Sequence, residues 1–288
     1  VATVSDGFIT GAAHANETRS DVGRRVVVLG ASNARRGLAR LAGVLRDRAS
    51  PAAVTGSVPV ELLLAIGHGR SYGATSRVWL RRLPSILRCG LWNALDRETR
   101  GDADGMALVT DIGNDLLYGF PPAQVADWVH ECVGRLSDRG LRVVVTRLPL
   151  ESVARLGPVR FRVLRSLYVP GCPLTLPALA AAAADLDDRV ARITASCGAT
   201  LLEQPGDWYG IDAIHVRRRR LGDLWHRAAD AWGLPPASLV RRRRVGRARL
   251  ADWALLGSRA AEVRSLAGVM RYTRQPVLTR DRLRVWMW

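Results

Sequence analysis

An α/β/α sandwich built on a parallel sheet is the fold that this chain of 288 residues predicts. Two observations predict it. Short runs rich in Val, Leu and Ile show little polar alternation, as strands covered on both faces do. Segments of helical period lie between them, and strands that alternate with helices imply right-handed crossovers into a parallel sheet. With 48% apolar residues the chain can bury a full core.

Taken in order, residues 1–23 lack periodicity and are expected to form a loose arm. Arg25–Leu29 is the first strand candidate, broken at Gly30, and Asn33–Arg48 follows at helical spacing. Val60–Ile66 is the second strand, with a helix expected over Ser76–Leu87. Met106–Asp111 is the third. Pro121 and Pro122 then open a helix over Ala123–Arg139 whose stripe is Val125, Trp128, Val129, Cys132, Val133 and Leu136. Leu141–Thr146 is the fourth strand, Leu176–Cys197 a helix, Ala199–Glu203 an edge-like fifth strand and His215–Trp232 a final helix. From about Gly233 the pattern changes. Residues 233–288 are expected to be a basic extension packed on the main domain of 24–232, with helix over Leu250–Met270 and a β-hairpin turning near Arg280–Arg282.

Composition narrows the classes. No apolar run approaches the roughly 20 residues that cross a bilayer. The opening residues carry no apolar core after a basic start, so a cytoplasmic location is expected. Cys89, Cys132, Cys172 and Cys197 have neither CxxC pairing nor a nearby His at metal-ligand spacing, and read as free thiols rather than a zinc site. The formal charge is +17, carried by arginine without a single lysine. We read that skew as a compositional habit, which weakens charge as a sign of nucleic-acid binding. Arg217–Arg220 and Arg241–Arg244 are still clusters able to attract phosphate or an anionic surface.

Chemistry gathers at the strand ends, where open α/β sheets bind ligands. Ser32 follows the first strand. The turn Gly67-His68-Gly69-Arg70-Ser71-Tyr72-Gly73 follows the second, Gly113-Asn114-Asp115 the third, and Asp212-Ala213-Ile214-His215 the fifth. A serine hydroxyl becomes a useful nucleophile when a base takes its proton, and His has its pKa near neutrality. His215 would be that base, with Asp212 orienting its ring. The Ser32 and Gly69 N–H groups and the Asn114 amide would form the oxyanion hole. Arg70, Tyr72, Trp208 and Tyr209 are candidate substrate contacts, while Asp111 and Asp115 read as loop-ordering groups.

These four blocks, in this order, resemble the SGNH (GDSL-like) hydrolases, esterases and lipases on a flavodoxin-like sheet of five parallel strands. The resemblance runs from about Arg25 to Trp232. It implies a Ser32–His215–Asp212 triad acting through an acyl-enzyme on a small-molecule, glycan or lipid ester, with no metal or organic cofactor. One departure stands out: Ala31 occupies the place of the family's usual Asp before the serine, which makes this a divergent pattern. No lid segment and no obligatory protein partner stand out. The competing expectation is an inactive hydrolase-like domain that binds a polyanion through its arginine clusters.

Overall fold

Val26 to Leu29 are buried on both faces, and their alternation divides the interior in two. Val26 and Val28 point into one apolar cluster, Val27 and Leu29 into another on the opposite face. The computed structural model describes residues 24–49, 59–97, 105–236, 254–280 and 282–288. The expected loose arm at 1–23 and the Arg241–Arg244 cluster lie outside these residues.

The elements run β1 (Arg24–Gly30), α1 (Ser32–Ala49), β2 (Val60–Ile66), β3 (Ser76–Val78), β4 (Arg81–Leu83), α2 (Leu91–Arg97), β5 (Met106–Val109) and α3 (Asn114–Leu117). They continue with α4 (Pro122–Ser137), β6 (Arg142–Thr146), α5 (Leu150–Ala154), α6 (Pro158–Tyr168), α7 (Leu176–Ser196), β7 (Thr200–Leu202) and α8 (Leu221–Ala231). Four strands follow: β8 (Val263–Leu266), β9 (Val269–Tyr272), β10 (Leu278–Arg280) and β11 (Leu283–Met287).

The main sheet has the order β10-β11-β2-β1-β5-β6-β7, and only the β10–β11 pairing is antiparallel. Helices α1 and α8 pack together over one face, and α4 and α7 over the other. The expected α/β/α sandwich is therefore the observed architecture. Fully buried Trp225 of α8 and Trp232 just past its end anchor the first layer; each such side chain contributes roughly 2–3 kcal/mol of apolar burial.

The sequence reading needs three corrections. The sheet has seven strands instead of five, because the hairpin expected near the end of the chain joins β2 through β11. Leu283, Val285 and Met287 are buried while Arg284 is exposed, a period-two pattern unlike the continuous apolar runs of the central strands. The helix expected over Ser76–Leu87 is the hairpin β3–β4 followed by loop, since Pro84 cannot sit inside a helix. The helix expected over Leu250–Met270 is, among the described residues, one turn at 254–257 and then the hairpin β8–β9. That hairpin turns at Ala267-Gly268, both at positive φ. A second sheet, β3-β4-β8-β9, results.

Free thiols are as expected: Cys89, Cys132 and Cys172 are buried, and Cys197 is half-buried. Among the described residues no helix is long and apolar enough to cross a membrane.

Candidate active site

Gly30 closes β1 against β5 so tightly that a Cβ there would lie 2.7 Å from Thr110 Cγ2. Ala31 then turns the chain, and Ser32 begins α1 with its side chain nearly buried. A helix start leaves N–H groups without intrahelical partners. Here Asp111 takes most of them: its Oδ2 accepts from Ala31 N at 2.8 Å, Asn33 N at 3.0 Å and Ala34 N at 3.2 Å. The Ser32 N–H and hydroxyl are left without a hydrogen bond to the described residues. Asp111 does this from a left-handed conformation (φ 60°), one that Asp tolerates better than most side chains.

Asn33 is the hinge of the arrangement. Its Nδ2 donates to Asp111 Oδ1 at 2.7 Å and to the Ile214 carbonyl at 2.9 Å, and its Oδ1 accepts from Val216 N at 2.9 Å. The two residues that flank His215 are thereby tied to the residue that follows Ser32. His215 Nδ1 stands 3.0 Å from Asp212 Oδ1, and the same oxygen accepts from His215 N at 2.6 Å and Ile214 N at 3.3 Å. Burial opposes ionisation of Asp212. The hydrogen bonds and charge of His215, together with the two amides, outweigh it and hold the carboxyl below its ordinary range.

The expectation that Asp212-x-x-His215 opens a helix is corrected. These residues form a tight loop closed by the Tyr209–Val216 bridge, and α8 starts at Leu221. The physical reason is that Asp212 takes the amides of Ile214 and His215 into a local turn.

Gly69 lies in a left-handed turn (φ 64°) where a Cβ would meet Val78 Cγ2 at 2.6 Å and Tyr118 Oη at 2.7 Å, so no side chain fits. Tyr118, just past α3, donates its hydroxyl to the Gly69 carbonyl at 2.7 Å and joins the second block to the third. His68, at the surface, is within electrostatic reach of His215, Arg35, Arg36 and Arg81. Asn114 heads α3, half-buried, and lines a small cavity of about 30 Å³ with Asn33, Asp111 and Ile214. All four sequence blocks thus converge on one rim.

Three of the four candidate substrate contacts do not. Arg70 is fully buried and donates to the carbonyls of Pro84, Ile66 and Trp288; it holds the second block to the end of β11. Tyr72 is also fully buried, its hydroxyl donating to the Thr110 carbonyl at 2.7 Å. Trp208 and Tyr209 belong to the α1/α8 core cluster. Arg70, Tyr72 and Trp208 are interior side chains and are corrected to structural roles, whereas Tyr209, though packed in that cluster, also lines the small cavity beside Asn114. The surface that does flank His215 went unread in the sequence. Tyr168, the last residue of α6, stacks edge-on against His215 with ring centroids 5.8 Å apart. Val159, Val163 and Leu167 form an exposed stripe on the same helix, and exposed Ile211 adjoins Asp212. The i, i+4, i+8 spacing of that stripe was the available signal.

Of the arginine cluster after His215, Arg217, Arg218 and Arg219 are exposed, and Arg220 pairs with Asp223 and Asp207.

Asp115 supports the rim from below: fully buried, it accepts from Tyr72 N at 2.9 Å. Burial pushes its carboxyl up to about 6, offset only in part by the Ser71 hydroxyl and the Tyr72 amide. A carboxyl raised on folding adds stability that is complete below its unfolded value of 3.8 and is lost as pH rises through about 6. The loss is on the order of 3 kcal/mol. Asp115→Asn keeps an oxygen for Tyr72 N and removes the charge. Its melting temperature is expected to exceed that of the wild type at pH 7.5, with the gap closing towards pH 4. A gap that does not change with pH in thermal melts would remove this assignment.

No family model matches the sequence, and no curated protein matches it. Among solved structures the chain is similar to the psychrotrophic esterase EstA from Pseudoalteromonas sp., at 13% identity over 72% of this chain and 96% of that one, with a TM-score of 0.44. It is likewise similar to a carbohydrate acetylesterase from Sinorhizobium meliloti, at 16% identity over 72% and 97% of the two chains and a TM-score of 0.48. A third is a member of the lipolytic protein G-D-S-L family from Veillonella parvula, at 12% identity over 72% and 96%, with a TM-score of 0.44.

Proposed function

We propose that the protein is a serine esterase, a divergent SGNH-type hydrolase that cleaves carboxylic esters through an acyl-enzyme on Ser32. The observation that carries this reading is the pair of hydrogen bonds from the Asn33 side chain to Ile214 and Val216. They tie the loop that carries His215 to the residue after Ser32, and with Asp212 bonded to Nδ1, Nε2 is the nitrogen that would serve the hydroxyl in this reading.

In this reading Ser32 Oγ attacks the acyl carbon as its proton passes to His215 Nε2, and the carbonyl π pair moves onto oxygen. Asp212 stabilises the imidazolium without itself taking the proton. The oxyanion accepts from Ser32 N–H, left free by the Asp111 cap, from Gly69 N–H and from the Asn114 amide. Collapse expels the alcohol, which takes the proton from Nε2. Water then repeats the sequence on the acyl-serine and regenerates the hydroxyl. Tyr168 against His215 and the exposed Ile211 next to Asp212 favour an ester with an apolar acyl or alcohol part.

The test is fluorophosphonate labelling read by intact mass, alongside p-nitrophenyl ester turnover. One adduct on the wild type, none on Ser32→Ala and loss of turnover in that variant are expected. A folded wild-type protein that neither labels nor turns over the ester would sink the proposal.

A further inference from the structure

The second sheet carries an unusual surface. Its strands and turns, residues 76–83 and 263–272, contain five arginines and no Asp or Glu. They also expose six large apolar side chains: Trp79, Leu80, Leu266, Val269, Met270 and Tyr272. The two hairpin tips lie side by side, since Ala267 N donates to the Leu80 carbonyl at 2.8 Å and Arg81 pairs with Leu266.

Three features say that this surface has a use beyond its own stability. Trp79 is 92% exposed and sits at φ 56°, the first position of a two-residue turn where glycine is the unstrained choice. A tryptophan held there gains no burial from the fold and carries backbone strain. Arg77 faces Arg82 across β3–β4, and Arg264 faces Arg271 across β8–β9. Directly opposed like charges destabilise a sheet, and among the described residues no carboxylate pairs with Arg77, Arg82 or Arg271. Between the hairpins runs a groove of about 690 Å³ lined by Arg77, Arg82 and Arg264 together with Leu80, Val263 and Met270. Apolar tips backed by uncompensated guanidinium groups complement one surface above others, a layer of anionic headgroups over acyl chains.

We propose that the β3–β4 and β8–β9 hairpins dock the protein on anionic phospholipid bilayers, with Trp79 and Leu80 entering the headgroup–acyl boundary and the arginines meeting lipid phosphates. The surface adjoins the glycine turn: Val78 packs against Gly69, and Arg81 Nη2 donates to the His68 carbonyl at 3.2 Å. Docking there would bring the rim to the membrane plane. The inference stands on the second sheet alone and does not require Ser32 to be a nucleophile.

The experiment is co-sedimentation of the full chain with two kinds of vesicle, phosphatidylcholine alone and phosphatidylcholine mixed with phosphatidylglycerol. Binding is expected only to the second, weakening as salt rises. Trp79→Gly with Leu80→Ser removes the apolar tips and relieves the turn, so the fold is retained, as near-UV circular dichroism would verify. Affinity should fall at least tenfold. Arg77→Gln with Arg82→Gln should lower it by about fivefold for each charge withdrawn. Glutamine substitutions at Arg217–Arg220 should leave it within about twofold, since these residues lie outside the second sheet. The proposal is overturned if the wild type does not sediment with anionic vesicles. It is equally overturned if the tip variant binds like the wild type, or if binding follows Arg217–Arg220.

Discussion

His215→Ala is expected to lower kcat on a p-nitrophenyl ester by about 10⁴-fold or more, with KM and the melting temperature little changed. The half-buried imidazole is bonded to Asp212 and stacked edge-on against Tyr168, so its loss removes little that supports the fold. Asp212→Asn is the sharper variant. The asparagine oxygen can still accept from His215 N and Ile214 N, so the loop keeps its turn. That same oxygen faces Nδ1, so the bond to the ring survives too, and what the variant removes is the negative charge that stabilises the imidazolium formed when His215 takes the serine proton. A loss of at least about 10²-fold in kcat is expected from that lost charge alone. Steady-state kinetics on both variants, with fluorophosphonate labelling rates beside them, read the effect. Turnover within tenfold of the wild type in either variant would remove the triad.

How much of this was legible in the sequence follows from the range over which each signal acts. Arg25–Leu29, Val60–Ile66 and Leu141–Thr146 could be read because strands covered on both faces need apolar residues at every position. Leu283–Met287 alternates, so its hairpin was expected but its place beside β2 was not; which edge a strand joins is decided by partners that local pattern does not name. Ser76–Leu87 is a hairpin and loop where a helix was expected, and Pro84 within it is the local signal against a helix. At the rim, Ser32, Gly69, Asn114, Asp212 and His215 could be proposed because chemistry-bearing residues at successive strand ends have few other reasons to recur in that order. What joins them could not be read. Asn33 stands next to Ser32, yet its partners Ile214 and Val216 lie 181 and 183 residues further along the chain. The same blindness placed Arg70, Tyr72 and Trp208 at the substrate: sequence neighbours of a site residue were taken as facing it, although all three turn into the interior.

Asp111 is where fold and site depend on one group, and Asp111→Ala is expected to damage both. It leaves the Ala31, Asn33 and Ala34 N–H groups without an acceptor, and Ala31, Asn33 and Ala34 are all buried. The Asn33 amide also loses one of its two acceptors. An orphaned buried donor costs about 1–3 kcal/mol. Water at the half-buried position would recover part of this, and alanine keeps the strain of a positive φ that aspartate tolerates better. The expected loss of unfolding free energy is therefore about 3–5 kcal/mol, large against the 5–15 kcal/mol that holds a typical domain together. Asp111→Asn separates the two roles. Its single oxygen can keep the backbone amides, so most stability should return. The Asn33 Nδ2 would then face an amide NH₂ and release its hold on Ile214. Chemical denaturation should rank the variants wild type, Asn, Ala, whereas kcat should fall substantially in both. If Asp111→Asn turned over ester at the wild-type rate, Asn33 would not depend on Asp111 for its alignment, and the hinge between Ser32 and His215 would rest on the bonds to Ile214 and Val216 alone.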